Sequence, residues 1–167
     1  MSTTDMAGTT IEPAETDDVD ELTEMWLSLA REQREHGSHI LSGENRTVIR
    51  EAMARHVVGD ALQVARDGGV VGFVMFTVES GSYEQEYIRG VVENLYVAPD
   101  RRGEGVGARL LAAAETVLEN RGVEAVSLEV MADNDRARSF YRRQGYDPHR
   151  VELEKPTESD THSRGDT

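Results

Sequence analysis

Apolar positions along the chain recur with two periods, and the switches between them lay out the elements. Leu22, Met25, Trp26 and Leu29 follow helical spacing behind Thr16 or Asp17, either of which can cap, with Asp18, Asp20 and Glu21 in the first turn. This helix is expected to fray near His36-Gly37-Ser38. After a break at Ser42-Gly43, residues 46–58 carry a weaker helical stripe of Val48, Ile49, Ala52, Met53 and His56. Residues 9–14 read as a short edge strand ending near Pro13. Residues 60–66 and 70–78 read as strands joined by the hairpin turn Asp67-Gly68-Gly69, with Gly72 marking a bulge. Residues 79–87 form a polar loop.

The second half is patterned more sharply. Ile88 opens a strand whose stretch from Val91 to Val97 is apolar and β-branched, apart from Glu93 and Asn94. Pro99 and Asp100 stop it. From Val106 the period changes, and Val106, Leu110, Ala114, Val117 and Leu118 share one helix face. Arg121-Gly122 ends that helix. Residues 123–131 alternate as a strand, and Asp133 or Asn134 caps a short helix with Ala137, Phe140 and Tyr141 on one face, closed by Gly145. Residues 146–153 read as a last strand. Residues 1–8 are small and polar and are expected to be disordered, as is the acidic, polar tail 154–167. One domain, 9–153, is the expectation.

Strand, helix and strand over residues 91–131 make a right-handed crossover, so the two strands should be parallel. Ligands of such units bind at the carboxyl ends of the strands. At that end Gly103, Gly105 and Gly107 leave main-chain N–H groups uncovered where the helix dipole is positive, which suits a phosphate or pyrophosphate. Glu129 and the cap at Asn134 belong to the same end, and Tyr141 follows two turns along the next helix.

Here the sequence resembles the Gcn5-related N-acetyltransferases, the GNAT superfamily. Their acetyl-CoA loop is matched by Arg102-x-x-Gly105-x-Gly107, and the strand before it by Leu95-Tyr96-Val97-Ala98-Pro99. A later block, Leu128-Glu129-Val130, Asn134 and Phe140 to Tyr146, is similar to ribosomal-protein N-terminal alanine acetyltransferases. The resemblance spans about residues 9–153 and is strong from Val91 to Tyr146. It implies a single α/β (α+β) domain with a mixed, mostly antiparallel sheet of six to seven strands flanked by helices. Strands 4 and 5 would be a parallel, splayed pair. It also implies acetyl transfer from acetyl-CoA to a primary amine, of a small molecule or a protein N-terminus, by direct attack in a ternary complex, with no metal.

Roles follow from the resemblance residue by residue. Main-chain groups along Leu95, Tyr96 and Val97 would pair with the pantetheine arm, and an N–H at the splay would polarise the thioester carbonyl. Arg102, Gly103, Glu104, Gly105, Val106, Gly107 and Ala108 would hold the pyrophosphate, with Arg101 adding charge nearby. Asn134 would bond the pantetheine or simply cap its helix. Tyr141 would donate a proton to the departing thiolate as well as line the coenzyme site. The base that deprotonates the amine is Glu129, ahead of Glu93, or neither. The acceptor would be set by the first two helices and the loop at 79–87, where Glu44, Glu51, Glu79, Glu84 and Glu86 suit a cationic amine.

Composition narrows the alternatives. The net charge is -14, and the one lysine is Lys155. Such a surface argues against nucleic acid or anionic membranes as partners and resembles halophilic proteins of a salt-saturated cytoplasm. Between Asp100 and Gly145 eight acids meet eight arginines, so this stretch alone is neutral and can tolerate an anion. No cysteine is present, which removes disulfides and thiolate chemistry. A signal peptide and an apolar membrane span are both lacking, which suits a cytoplasmic location. Gly103-x-Gly105-x-x-Ala108 also fits a loose dinucleotide fingerprint, but it follows a late strand, not the first. His36 and His39 have no further ligands at metal spacing. A homodimer is an assembly common in the family. A non-catalytic acyl-CoA sensor or assembly module would keep the glycine loop without needing Tyr141 or an acid.

Overall fold

The computed structural model describes residues 8–79 and 83–157. Helical spacing becomes α1 (Val19–Arg34), α2 (Arg46–Val58), α3 (Val106–Asn120) and α4 (Asp135–Arg143). Alternating and β-branched runs become β1 (Thr10–Pro13), β2 (Leu62–Arg66), β3 (Val70–Val78), β4 (Arg89–Val97) and β5 (Ala125–Leu128). They form one sheet in the order β1-β2-β3-β4-β5. The first three pairings are antiparallel, and β4 runs parallel to β5 as the crossover requires.

Among the described residues the sheet has five strands, not the expected six to seven. Residues 146–153 join no ladder among the described residues, and Val151 and Leu153 stay 76% and 89% exposed. With no apolar face to bury, that stretch gains too little to offset its ordering entropy. The strand expected over 123–131 shortens to four residues. The expected disordered segments lie mostly outside the described residues, at 1–7 and 158–167, as do residues 80–82 of the polar loop.

Two cores sandwich the sheet. On one face α1 and α2 bring Leu22 and Met53 onto Leu62, Val64 and Phe73. On the other, α3 sets Leu110, Leu111, Ala114 and Leu118 against Ala65, Val74, Phe76 and Val92. The start of α1 is fastened to the sheet by Asp18, whose carboxylate takes two bonds from Arg66 at 2.9 and 3.1 Å, while Arg66 also donates to Glu12 at 2.6 Å. The Arg66 bonds hold Asp18 below the usual carboxylate range.

Candidate functional site

Two irregularities in β4 shape a cleft. The first is a bulge. Met75 pairs with Asn94 and Phe76 with Val92, so Glu93 is the extra residue. The second is a splay. Pairing between β4 and β5 ends at Val92 with Leu128, while β4 continues to Val97. Continued register would have set Glu93 opposite Glu129. Instead pairing between the two strands stops at that point.

Past the splay, β4 presents an edge with main-chain groups to offer. Ala98 N–H donates to Val71 O at 2.8 Å, so the main-chain groups of Ala98 and Tyr96 face β3. Alternation turns those of Leu95 and Val97 toward the cleft. Tyr96 is therefore not brought to the cleft by its main chain. Its side chain is buried against Phe73 with ring centroids 6.3 Å apart. Arg102 reaches back to this edge. Its Nε donates to Val97 O at 2.7 Å, its Nη2 donates to Glu32 of α1 at 3.0 and 3.2 Å, and its guanidinium lies 5.3 Å from the Tyr96 ring. Arg101 is a structural anchor, donating to Glu104, Asp67 and Thr9.

The loop from residue 103 is open main chain. Gly105 is the N-cap of α3 at φ 86°, with no side-chain cap. Added Cβ atoms at Gly103 and Gly105 would meet nothing within 4 Å. The ladder of α3 starts with Arg109 N–H to Gly105 O at 3.2 Å, so the amides of Val106, Gly107 and Ala108 precede it. The Val106 side chain is buried in the α3 core, and Glu104 is turned toward Arg101. Gly107 is the meeting point. Its hydrogen faces Phe140 of α4 and Val97 of β4, 3.5 and 3.7 Å from where a Cβ would stand.

That contact brings α4 to the loop. Asn134 caps α4, its Oδ1 accepting from Ala137 N–H at 3.2 Å. Tyr141 stacks edge-on between Phe140 and Tyr146, with centroids 5.2 and 6.1 Å away. Burial pushes its phenol up to about 12. Tyr146 donates to Glu115 of α3 at 2.6 Å, which pins α4 against α3. Across the cleft, His36 at the end of α1 meets Asp133 at 3.2 Å, and Gly37 packs against Met131.

Glu129 follows the end of β5 and is exposed. Glu93 is engaged. Its Oε1 lies 2.7 Å from Nε2 of His56, whose Nδ1 lies 2.7 Å from Ala52 O. Sequence reasoning placed His56 only on the apolar stripe of the second helix. The one available signal was a titratable ring on a buried face, 37 residues from its partner. Glu44, Glu51, Glu84 and Glu86 are exposed, and Glu79 accepts from Gln85 at 3.2 Å. Among the described residues no cluster of three or more acids and histidines is placed to hold a metal ion, and no helix is long and apolar enough to cross a membrane.

Comparisons with known proteins converge on one family. The acetyltransferase (GNAT) family model matches residues 18–146. N-alpha-acetyltransferase 30 of Schizosaccharomyces pombe is 37% identical over 59 residues, 35% of this chain and 39% of that protein. Mycothiol acetyltransferase of Clavibacter michiganensis subsp. michiganensis is 41% identical over 80 residues, 48% of this chain and 24% of that protein. These matches span less than two thirds of the relatives' own lengths. Among solved structures, a GCN5-related N-acetyltransferase from Ralstonia eutropha JMP134 superposes with a TM-score of 0.72 at 23% identity, covering 90% of this chain and 99% of that one. The aminoglycoside N-acetyltransferase AAC(6')-Iy in complex with CoA gives 0.71 at 15% identity, covering 90% and 95%. With the family model matched across both halves of the cleft, this chain belongs to the acetyltransferase (GNAT) family.

Proposed function

We propose that the chain transfers an acetyl group from acetyl-CoA to a primary amine by direct attack in a ternary complex. The observation that carries this reading is the end of the β4–β5 ladder at Val92 and Leu128, beside a helix start made of glycines. The parted strands leave room for an extended arm, and the main-chain groups of Leu95 and Val97 would pair with it as an added strand. The amides of residues 103–108 would hold the diphosphate at the positive end of α3. Arg102 would give up its bond to Val97 O as the arm docks, while keeping its charge near the diphosphate.

Chemistry at the splay needs a base and an acid. Glu93 or Glu129 would take the proton from the substrate ammonium, freeing the lone pair that attacks the thioester carbon. The contact with His56 favours Glu93, because a second titratable group stands 2.7 Å from its carboxylate. Tyr141 would give its proton to the departing thiolate. Burial keeps the phenol protonated at neutral pH, so a proton is there to give. The named relatives differ in their acceptors, so the amine is assigned here only as a cation drawn to an acidic mouth. Location in the cytoplasm and a homodimer remain parts of the same proposal.

The test is a panel of primary amines, from polyamines to peptide N-termini, offered with acetyl-CoA while free thiol is measured. Amine-dependent thiol release is expected. Tight coenzyme binding without release under any amine would favour the alternative, a non-catalytic acyl-CoA-binding sensor. Failure to bind the coenzyme at any salt concentration would overturn both.

A further inference from the structure

His56 stands on α2, apart from the elements that carry the glycine loop and Tyr141, yet its ring ends on Glu93. Its two contacts settle its hydrogens. Ala52 O can only accept, so Nδ1 carries a proton at that 2.7 Å bond. An ionised carboxylate also only accepts, so the 2.7 Å contact between Nε2 and Oε1 of Glu93 requires a second proton between them. The pair therefore stores one exchangeable proton, while the other proton stays on Nδ1, donated to Ala52 O.

The surroundings let that proton come and go. The His56 side chain is 17% exposed and that of Glu93 35%. His56 borders a recess shared with Arg55, Gly59, Ala61, Thr77, Val78 and Arg121. Among the described residues, the charged groups that act on the ring are Glu93 from β4 and Arg55 from its own helix, and Arg121, just past the end of α3, lines the same recess. Arg121 is held there by donating to Gly59 O and Asp60 O. The bond to Glu93 raises the imidazole above its ordinary value, the bond to Ala52 adds to the rise, and burial and Arg55 oppose it.

We propose that His56 is a positioning residue that makes Glu93 half of a two-group proton acceptor, Glu93 meeting the substrate ammonium and His56 storing the proton. This deepens the function proposed above and rests on it. When the pair already holds its exchangeable proton, the ammonium has nowhere to put its own. Once the pair is empty, the substrate N–H bond breaks and its proton goes to Glu93. A proton then sits between Oε1 and Nε2, and the amine lone pair attacks the thioester. The imidazolium returns its proton to water through the recess, and the pair is restored. The active state is thus the deprotonated one, and the acid limb of the rate profile belongs to the pair, not to a lone carboxylate.

The experiment compares kcat/KM against pH for wild type, His56→Gln and Glu93→Gln. It adds calorimetry with acetyl-CoA and an NMR titration of the His56 ring. Glutamine keeps a donor within reach of Glu93 but does not titrate in this range. The amine's own ionisation is common to all variants. The wild-type acid limb is expected above 6.5, the ordinary histidine value. In His56→Gln it should drop by about two pH units toward the carboxylate range, with a plateau roughly tenfold lower, because a weaker base remains. Acetyl-CoA affinity should not change. In Glu93→Gln the His56 titration should move to lower pH. An acid limb unmoved by His56→Gln, or a His56 titration unmoved by Glu93→Gln, overturns the proposal and leaves acetyl transfer standing. No transfer to any amine by the wild type overturns the transfer reading, and this proposal with it.

Discussion

Gly105 holds φ at 86° with nothing near the place of a side chain. In the proposed function, the space that a Cβ would enter is the space the diphosphate would take. Gly105→Asp adds a left-handed backbone cost of about 1–2 kcal/mol and a negative charge where an anion should sit. Its affinity for acetyl-CoA should fall by more than roughly tenfold in calorimetry. Unchanged affinity would count against the loop as the coenzyme site. Tyr141 is the proposed proton donor. Tyr141→Phe keeps the ring among Phe140 and Tyr146 but removes the proton, so kcat should fall by about a hundredfold with acetyl-CoA affinity unchanged. The pH sign follows from burial. Tyr141 is pushed up to about 12, so it stays a proton donor throughout the neutral range and its loss should give no alkaline limb below pH 10 or so. A fully active variant would remove Tyr141 from the mechanism. The place of Tyr141 beside Phe140 on α4 was legible from their helical spacing with Ala137. The His56–Glu93 contact was not, since no local rule joins a helix residue to a strand 37 positions away.

Elements bounded by clear breaks keep the limits their patterns predict, even where, as in residues 46–58, the apolar stripe is weak. Residues 46–58 and 70–78 are α2 and β3 as their spacing predicts. Gly72 was read as a bulge, and the register does slip beside it, Ala65 pairing with Gly72 and Arg66 with Val70. Its deeper reason is close approach. A Cβ there would stand 2.7 Å from Tyr96 O, a backbone atom of β4. Gly72→Ala should cost about 1–3 kcal/mol in denaturant unfolding, because β3 and β4 must separate to admit the methyl group. Wild-type stability in this variant would show that β4 yields at that point. The strand after α3 was read too long for an instructive reason. Its alternation continues to Met131, but pairing depends on β4, which turns away at Glu93. The last expected strand failed because Val151 and Leu153 have no surface to meet among the described residues.

Across the whole molecule, charge is the dominant unbalanced quantity. The net value of -14 lies outside the stretch from Asp100 to Gly145, where acids and arginines cancel. Several carboxylates are paired, as in Asp20 with Arg50 at 2.8 Å, Glu24 with Arg46, and Glu32 with Arg102, but these exposed pairs contribute little each. The remaining repulsion is long-ranged and screened by salt. Tm should therefore rise by several degrees between about 0.1 M and 2 M KCl, and a flat response would remove halophilic adaptation as a reading of the composition. The neutral stretch also supplies the glycine loop and α4, beside the end of the β4–β5 ladder. With only four rungs joining β4 to β5, the opening is not gauged by hydrogen bonds. Beside it, at Gly107, one hydrogen, a valine methyl and the rim of a phenylalanine ring meet, and that contact spaces α3 and α4 from β4. A single methylene gained or lost at Val97 or Phe140 would reset the calibre of the slot, and with it the distance from Tyr141 to whatever the slot receives.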